Sequence, residues 1–304
     1  MKWFKGIAVV LLLAILTACG NTEVKETTKQ TEEIKVKDAT GETITLKKAP
    51  TKIVSLIPSN TEILFALGLG DEVKGVSAYD DYPKEAQKIE KVTSTSVDTE
   101  KIIALKPDLV LGHESMLATE KDAYKILTDA GINVFVVPDA TNLKEVEKSI
   151  ATIGDLTGTE KEATKVTDSM EKQKIAIEKK AKELKTSPKV WIEISPDLYT
   201  AGKGTFMNEM LELAGGTNIV TESGFIPYNE EKVVELQPDI ILSVYPDAKA
   251  TIQKRAAWKD IPAVKNDKIY EMDANKLSRP GPRLLEGAAD IQAVLENLFF
   301  DNCR

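Results

Sequence analysis

A thirteen-residue segment occurs twice in this chain of 304 residues, and this repeat constrains the fold more than any other feature. The segment EKIIALKPDLVLG begins at Glu100, and EKVVELQPDIILS begins at Glu231, which is 131 positions further on without a gap. Each copy predicts a short amphipathic helix, a turn at Lys-Pro or Gln-Pro, and a buried parallel strand. Two copies therefore predict two similar α/β lobes.

The similarity extends upstream of the repeated segment. Residues 61–68, TEILFALG, correspond to residues 208–215, NEMLELAG, and each of these stretches follows a strand-like run. A single duplication at this distance is typical of paired domains, because the repeats of a solenoid are only 20–50 residues long. Paired α/β lobes create a cleft between the carboxyl ends of two sheets, where small molecules bind.

The first residues predict export and a lipid anchor. A basic start precedes an apolar run, Ile7 to Ile15, that is too short to span a bilayer. The sequence LTAC that ends at Cys19 resembles the cleavage site of bacterial lipoproteins, whose cysteine becomes the lipidated first residue. We therefore predict a signal peptide at 1–18, lipidation of Cys19 and a polar tether at 19–33. An ordinary signal peptide with an incidental cysteine is the alternative.

Composition argues against several kinds of function. The formal net charge is −8, and removal of residues 1–18, which hold two lysines and no acid, makes it −10, so we expect no nucleic-acid partner. Once Cys19 is lipidated only Cys303 remains, which leaves neither an internal disulfide nor a cysteine-based metal cluster. Proteins that bind zinc or manganese in this way generally use several histidines together with carboxylates. The chain has one histidine, which argues against such a metal site.

The N-terminal lobe is predicted to comprise residues 34–158. A β-hairpin over 34–46 opens it, and apolar strands then alternate with helical stretches, as in a parallel sheet covered by helices. The predicted strands are 53–57, 73–77, 109–112 and 134–137, and the predicted helices lie near 60–68, 100–105 and 119–130.

A long helix is predicted to connect the lobes over residues 159–187. Apolar residues recur there at three- or four-residue steps, and Thr159 with Glu162 predicts a capping box at its start. Such a connector would restrict lobe motion more than loop hinges do. The C-terminal lobe, 188–304, repeats the scheme, with predicted strands at 190–194, 218–220, 240–244 and 269–272 and a last helix over about 281–298.

Further motifs identify a known family. The segments SLIPSNTEILFALG, GVSAYDDYP, TAGKGTF and RPGPRLLEG resemble the periplasmic substrate-binding proteins of cobalamin and ferric-siderophore ABC importers. The resemblance covers residues 34–298 in order and implies an α/β bilobal fold, two Rossmann-like lobes joined by one long helix. It also implies a monomer without cofactor or catalysis, anchored by lipid on the outer face of the cell membrane. Such a protein delivers a small ligand to a permease dimer and its ATPase.

The resemblance is greatest to cobalamin-binding members and suggests which residues contact ligand. Tyr79 corresponds to a tyrosine that stacks against the corrin, Tyr199 to a phenylalanine and Phe225 to a tryptophan. Aromatic faces suit a large flat macrocycle because they supply apolar contact without a fixed hydrogen-bond pattern. Asp273 and Arg279 correspond to polar contacts in the last loop.

Two departures from the family pattern keep a second class of ligand open. Family tryptophans are replaced here by the segment Ser94–Ser96 and by His113, so the pocket loses aromatic area. A ferric siderophore or haem is therefore the alternative to a corrinoid. His113 belongs either to the scaffold or to a cobalt site. Ser59 either directs backbone N–H groups at a ligand or caps the helix that follows.

Arginine is scarce, which bears on the charge of the ligand. The chain has four arginines, of which Arg279 and Arg283 share the segment RPGPR. A ferric catecholate with several negative charges would need a basic cluster, so this count favours a corrinoid. We expect Arg283 to anchor the final loop, whereas for Arg279 both anchoring and ligand contact stay open.

Glu100 and Glu231 begin the two copies of the repeat. Each acid would interact favourably with the dipole of its own helix. In the family, acids at these positions form salt bridges with arginines of the two permease subunits. The resemblance therefore implies that the two acids dock the protein on its permease.

An enzyme is the alternative from a different class, and the motifs disfavour it. The segment GKGT at 202–205 lacks the spacing of a phosphate-binding loop, and GLG at 68–70 is no dinucleotide fingerprint. The sequence has no His-Glu-x-x-His motif and no plausible Ser-His-Asp set. A surface adhesin, which would bind protein partners only, is the other alternative.

Overall fold

The N-terminal lobe opens with a hairpin and continues as a parallel sheet. The computed structural model describes residues 33–301, so the predicted signal peptide, Cys19, the tether as far as residue 32 and Cys303 lie outside it. The first two strands pair antiparallel, and the other five form one parallel sheet in the order β5-β4-β3-β6-β7. The strands are β1 Ile34–Lys37, β2 Thr43–Leu46, β3 Ile53–Ser55, β4 Val73–Ser77, β5 Glu90–Thr93, β6 Leu109–His113 and β7 Asn133–Val137. The helices are α1 Pro58–Ala66, α2 Thr99–Leu105, α3 Leu117–Asp129 and α4 Leu143–Thr157.

Helix α5, Glu160–Glu183, connects the lobes, and its existence confirms the predicted long helix. It packs against α4 on one side and against two helices of the C-terminal lobe on the other. The predicted capping box is wrong, because Thr159 makes no side-chain capping bond. Its hydroxyl lies 2.8 Å from that of Thr157, so the two threonines satisfy each other instead.

The C-terminal lobe has a mixed sheet in the order β11-β9-β8-β12-β13, with β10 beside β8. Its parallel strands agree with the prediction, but β9 and β11 pair antiparallel and were not predicted. Each is only three residues long, too short for a periodic pattern. The strands are β8 Lys189–Ser195, β9 Tyr199–Ala201, β10 Thr217–Asn218, β11 Phe225–Pro227, β12 Ile240–Ser243 and β13 Ile269–Glu271. The helices are α6 Phe206–Ala214, α7 Glu230–Leu236, α8 Ala248–Gln253, α9 Pro262–Lys265, α10 Ala274–Ser278 and α11 Leu284–Asp301.

The repeated segment folds twice into the same helix, turn and strand. Asp98 caps α2 and Asn229 caps α7, each by accepting a hydrogen bond from the backbone N–H three residues on. Each helix ends at a residue in the left-handed region, Lys106 or Gln237, both with φ of 49°. The strands that follow, β6 and β12, are buried along their whole length and pair parallel with their neighbours. The prediction from the repeat is therefore confirmed in both lobes.

The aspartate of the Pro-Asp pair has the same task in both copies. Asp108 accepts hydrogen bonds from the backbone N–H groups of Thr51 and Lys52, at 2.8 and 3.0 Å. Asp239 accepts one from the N–H of Lys189 at 2.8 Å. Each aspartate thereby fixes the start of its own strand against the start of the strand beside it, β3 or β8.

One apolar core runs through both lobes. The largest buried cluster extends from Leu109 in β6 through Met170 in α5 to Leu295 in α11. Burial of this surface stabilises the arrangement of the two sheets on the connecting helix. The predicted α/β bilobal fold is thus confirmed. None of the helices between residues 33 and 301 combines the length and the apolar character that crossing a bilayer requires.

Candidate functional site

Most of the predicted ligand residues follow the carboxyl ends of parallel strands. In the N-terminal lobe Ser59 follows β3, Tyr79 follows β4, and His113 ends β6. In the C-terminal lobe, Tyr199 begins β9 and Phe225 begins β11, which pairs with β9. The segment with Asp273 and Arg279 follows β13. In α/β sheets this edge is where ligands bind, because loops there are free to carry side chains while the strands hold them in place.

Three of the predicted ligand residues have large exposed aromatic side chains. Tyr79 is 66% exposed, Tyr199 44% and Phe225 55%. Tyr199 pairs with Pro227 and Phe225 with Ala201, so the two C-terminal aromatics lie on adjacent strands. An exposed aromatic ring on a well-ordered strand offers apolar contact area at little cost in conformational entropy. Each lobe therefore has at least one exposed aromatic side chain among the predicted ligand residues.

A small pocket adjoins Tyr79. Its volume is about 140 Å³, and Ser94–Ser96, Met116 and Glu120 line it with the tyrosine. The tyrosine's backbone is held by Ser77, whose hydroxyl accepts a hydrogen bond from the Tyr79 N–H at 3.2 Å. The serines that replace a family tryptophan therefore border open space beside an aromatic ring.

Buried oxygens without a hydrogen-bond partner concentrate at the same end of the N-terminal sheet. Within the described part of the chain, Ser59 Oγ, Asp80 Oδ1 and Thr93 Oγ1 are buried and unpartnered. The other carboxyl oxygen of Asp80 accepts a hydrogen bond from the Ser77 N–H at 2.9 Å. Burial is the main cause that raises the pKa of Asp80 above its ordinary value, although the hydrogen bonds from Ser77 oppose it.

His113 is buried at the end of β6 and is only 4% exposed. Its Nδ1 accepts a hydrogen bond from the Ser115 N–H at 3.2 Å, which places the ring proton of the neutral form on Nε2. Nε2 lies 4.0 Å from the Asp139 carboxylate. Burial lowers the pKa of His113 more than Asp139 and Glu114 raise it. This placement favours a scaffold role over contact with a bound molecule.

The GKG segment of the C-terminal lobe is a site of close backbone approach. A Cβ on Gly202 would lie 2.0 Å from the carbonyl oxygen of Glu222. The Gly202 N–H donates to the Gly224 carbonyl, and the Lys203 N–H donates to the Glu222 carbonyl, each at 2.8 Å. The glycine thus lets the strand that carries Phe225 pack against the strand that carries Tyr199.

A buried ion cluster supports this C-terminal wall, and sequence reasoning missed it. Glu193 of β8 is fully buried and accepts two hydrogen bonds from Arg255, at 2.7 and 2.9 Å, and one from Trp191 Nε1 at 2.9 Å. The Tyr245 hydroxyl also donates to it. The guanidinium of Arg255 lies 4.4 Å from the centroid of the Trp258 ring. A glutamate inside the apolar run VWIEIS was the available signal.

A second ion cluster joins the lobes, and we call it the inter-lobe ion cluster: Glu62, Asp81, Arg279 and Arg283. Glu62 lies in α1 and was part of the repeat, but sequence reasoning gave it no role. Arg283 Nε and Nη2 donate to its two oxygens at 2.8 and 2.6 Å, and Arg279 Nη1 donates to it at 2.7 Å. The final loop is therefore anchored on α1, as expected for Arg283. Arg279 Nη1 also donates to Asp81 at 2.8 Å.

The remaining predicted site residues have simpler surroundings. Asp273 caps α10 by accepting from the Asn275 N–H at 2.9 Å. Glu100 and Glu231 are exposed in the first turns of α2 and α7, and neither carboxylate has an ion-pair partner among the described residues. Across residues 33–301 no three His, Cys, Asp or Glu side chains are grouped so that they could hold a metal ion.

Comparison with known proteins identifies the chain's relatives. The family model described as periplasmic binding protein matches residues 53–276. An uncharacterized ABC transporter substrate-binding lipoprotein from Bacillus subtilis is 44% identical over 313 aligned positions, which cover 99% of each chain. A cobalamin-binding protein from Halobacterium salinarum is 30% identical over 86% of this chain and 73% of its own length.

A solved structure agrees with the fold. The crystal structure of a possible iron-binding, periplasmic solute-binding protein from Staphylococcus epidermidis has a TM-score of 0.74 and 37% sequence identity. The match covers 82% of this chain and 99% of that one.

Proposed function

Because this chain belongs to the periplasmic binding protein family, we propose that it is the substrate-binding lipoprotein of an ABC importer and that its ligand is cobalamin. The relatives are transport components without catalysis, and this chain is likewise a binding protein and not an enzyme. Cobalamin would be held in the cleft between the lobes and delivered to the permease. Cys19 would carry the lipid that keeps the protein on the outer face of the cell membrane.

The exposed aromatic surfaces carry this proposal. Tyr79 on one lobe and Tyr199 with Phe225 on the other are among the few large apolar side chains that the described residues leave exposed. Exposed aromatic groups cost free energy in water, so their presence on both lobes supports a partner with extended apolar faces. A corrin is a large ring with two such faces, and aromatic contact on both sides would hold it.

The pairing of the arginines supports a ligand without strong negative charge. Arg255, Arg279 and Arg283 are the arginines among the described residues, and each is paired with a buried glutamate. A guanidinium that already forms short hydrogen bonds to a carboxylate has less capacity to neutralise an anionic ligand. The amide-rich edge of a corrinoid needs no such neutralisation, in contrast to a ferric catecholate.

The docking of the permease would use Glu100 and Glu231. They occupy the same position in the two copies, one on each lobe, and they are exposed and unpaired among the described residues. Two equivalent acids suit two equivalent permease subunits, because a symmetric partner presents the same basic group twice.

Titration of the purified protein with cyanocobalamin tests the proposal. We expect saturable quenching of tryptophan fluorescence with a Kd below roughly 10 μM, the weakest affinity useful to a nutrient receptor. The variants Tyr79→Ala and Phe225→Ala should weaken binding about tenfold each, as loss of an aromatic contact at a binding site does. Ile126→Ala, at an exposed apolar residue on α3, is the matched control and should bind as the unaltered protein does.

A ferric siderophore or haem is the second candidate. The 37% identity with the possible iron-binding protein from Staphylococcus epidermidis favours it. The same titration is therefore run in parallel with ferric siderophores and haemin. Saturation by one of these iron compounds, with no response to cyanocobalamin, would replace the first candidate by the second.

A further inference from the structure

The ion pairs of Glu62 cross from one lobe to the other. Glu62 lies in α1, beside the N-terminal sheet, whereas Arg279 and Arg283 flank the loop before α11, which packs on α6 of the C-terminal lobe. All three side chains are largely buried, with the Glu62 side chain 2% exposed and the arginines 13% and 11%. Burial shields the charges from water and salt, so removal of one partner would leave an uncompensated charge in the interior.

The same cluster holds the loop that carries Tyr79. Asp81, two residues after the tyrosine, accepts from Arg279 Nη1 at 2.8 Å and from Asn275 Nδ2 at 2.8 Å. Arg279 and Asn275 both belong to the C-terminal lobe. Through Arg279 the carboxylate of Glu62 therefore fixes where the Tyr79 loop lies relative to the opposite lobe.

The cluster also adjoins the connecting helix. A cavity of about 370 Å³ separates them, with Glu62, Tyr82 and Arg283 on one side and Met170 and Gln173 of α5 on the other. The Tyr82 ring stacks on the Arg283 guanidinium at 3.9 Å, which keeps the arginine in place. A contact close to the connector is well placed to control the angle between the lobes, because a small shift there becomes a larger shift further from the connector.

We propose that Glu62 is a positioning residue for ligand capture. By binding Arg279 and Arg283, Glu62 sets the angle between the lobes before any ligand enters. Through the Arg279–Asp81 pair, it also sets the position of Tyr79. Aromatic surfaces held in advance at the spacing of the ligand avoid the ordering cost that a freely opening cleft would meet on binding. The choice of cyanocobalamin as the ligand rests on the proposed function, whereas the role of Glu62 in setting the angle between the lobes does not.

The distance between the lobes provides the first test. Spin labels are placed on exposed positions of α3 and at the end of α8 with Lys121→Cys and Lys254→Cys, in the full chain carrying Cys19→Ser and Cys303→Ser. Without ligand we expect one narrow distance distribution. Glu62→Gln should broaden it and move it to longer distances. Asp290→Asn is the matched control, because it removes the same charge from an ion pair of 3.0 Å with Lys276 that lies within one lobe, and it should change nothing.

Binding kinetics provide the second test. We expect the dissociation rate constant of cyanocobalamin to rise about tenfold in Glu62→Gln and about threefold in Asp81→Asn, with Asp290→Asn unchanged. Thermal unfolding is recorded for each variant, since a purely structural role would lower the melting temperature without altering the distance distribution.

The outcomes separate this inference from the proposed function. Should Glu62→Gln fail to fold, Arg279→Gln decides, because it removes one of the two arginine partners of Glu62 and leaves the Arg283 pair in place. If cyanocobalamin binds no variant, the distance distributions still decide the positioning role. An unaltered distribution in folded Glu62→Gln, or in Arg279→Gln where Glu62→Gln does not fold, would overturn it.

Discussion

His113 is the chain's single histidine, and it reports directly on the interior of the N-terminal lobe. Because burial lowers its pKa, protonation is less favourable in the folded than in the unfolded chain. The neutral ring therefore contributes stability that is present above pH 6.5, the ordinary value for histidine, and is lost as the pH falls below it.

Nuclear magnetic resonance checks this expectation. The ring protons give one histidine signal, whose titration midpoint should lie below 6.5. The free energy of unfolding should decline between pH 7 and pH 5, and His113→Gln should remove most of that slope. A midpoint at or above 6.5 would mean that the carboxylates of Asp139 and Glu114 outweigh burial.

Asp80 has the opposite linkage. Its pKa is raised mainly by burial, so the folded chain holds the proton to higher pH than the unfolded chain does. The contribution of protonated Asp80 to the free energy of unfolding is therefore fully present below pH 3.8, and it is lost as the pH rises through the raised pKa. We expect Asp80→Asn to melt at a higher temperature than the unaltered protein at pH 7, and the difference to vanish near pH 3. Asp122→Asn, an exposed acid on α3, is the control and should show neither effect.

The sequence identified some of the site residues but not the buried glutamates. Tyr79, Tyr199 and Phe225 stood out by family motif, and the structure shows that all three are exposed, the first just after β4 and the others at the starts of β9 and β11. The roles of Glu62 and Glu193 were missed because their arginine partners are distant in sequence. The arginines that bind Glu62 lie 217 or more positions from it, and Arg255 lies 62 positions from Glu193. No local pattern encodes contacts between residues so far apart in sequence.

At the scale of elements, the packing of β9 against the segment before β11 depends on Gly202. Gly202→Ala would bring a methyl group against the Glu222 carbonyl, so we expect a loss of about 1–3 kcal/mol in the free energy of unfolding, as for other overpacked sites. The strand with Phe225 would shift, and ligand affinity would fall with it.

Chemical denaturation checks this prediction against Gly281→Ala. There the nearest atom to an added Cβ is 3.7 Å away, an ordinary contact, so this control should be nearly neutral. Equal stability of the two variants would mean that the Glu222 segment moves aside without cost.

Elements with a long periodic or apolar pattern were predictable, and short ones were not. The repeat gave α2 with β6 and α7 with β12 because their apolar runs and Pro-Asp turns are local signals. The strands β9 and β11 are three residues long and are created by pairing with each other. Helix α4, Leu143–Thr157, was not predicted either, although Asn142 caps it through the Glu145 N–H at 3.1 Å.

At the scale of the whole molecule, the two exposed acids of the repeat allow a test of docking. Glu100→Ala with Glu231→Ala should lower the affinity for the permease by roughly tenfold, because each substitution removes one charge pair at the interface. The measurement is stimulation of ATP hydrolysis by the reconstituted transporter at increasing concentrations of the binding protein.

The control is the double variant Asp122→Ala with Asp260→Ala. It removes one exposed acid from each lobe, outside the repeated helices α2 and α7. It should leave stimulation unchanged, while both double variants keep their ligand affinity. Wild-type stimulation by the Glu100 and Glu231 variant would remove the docking role from these acids.

The repeat divides the chain into positions that agree between the copies and positions that differ. Glu100 and Glu231 agree, as do the aspartates that fix the strands, whereas Tyr79, His113, Tyr199 and Phe225 have no counterpart in the other copy. Natural selection can therefore act on these two sets separately. Under the proposed function, changes at Tyr79, Tyr199 and Phe225 would alter which ligand is bound, while the acids shared by the two copies would still meet the same permease.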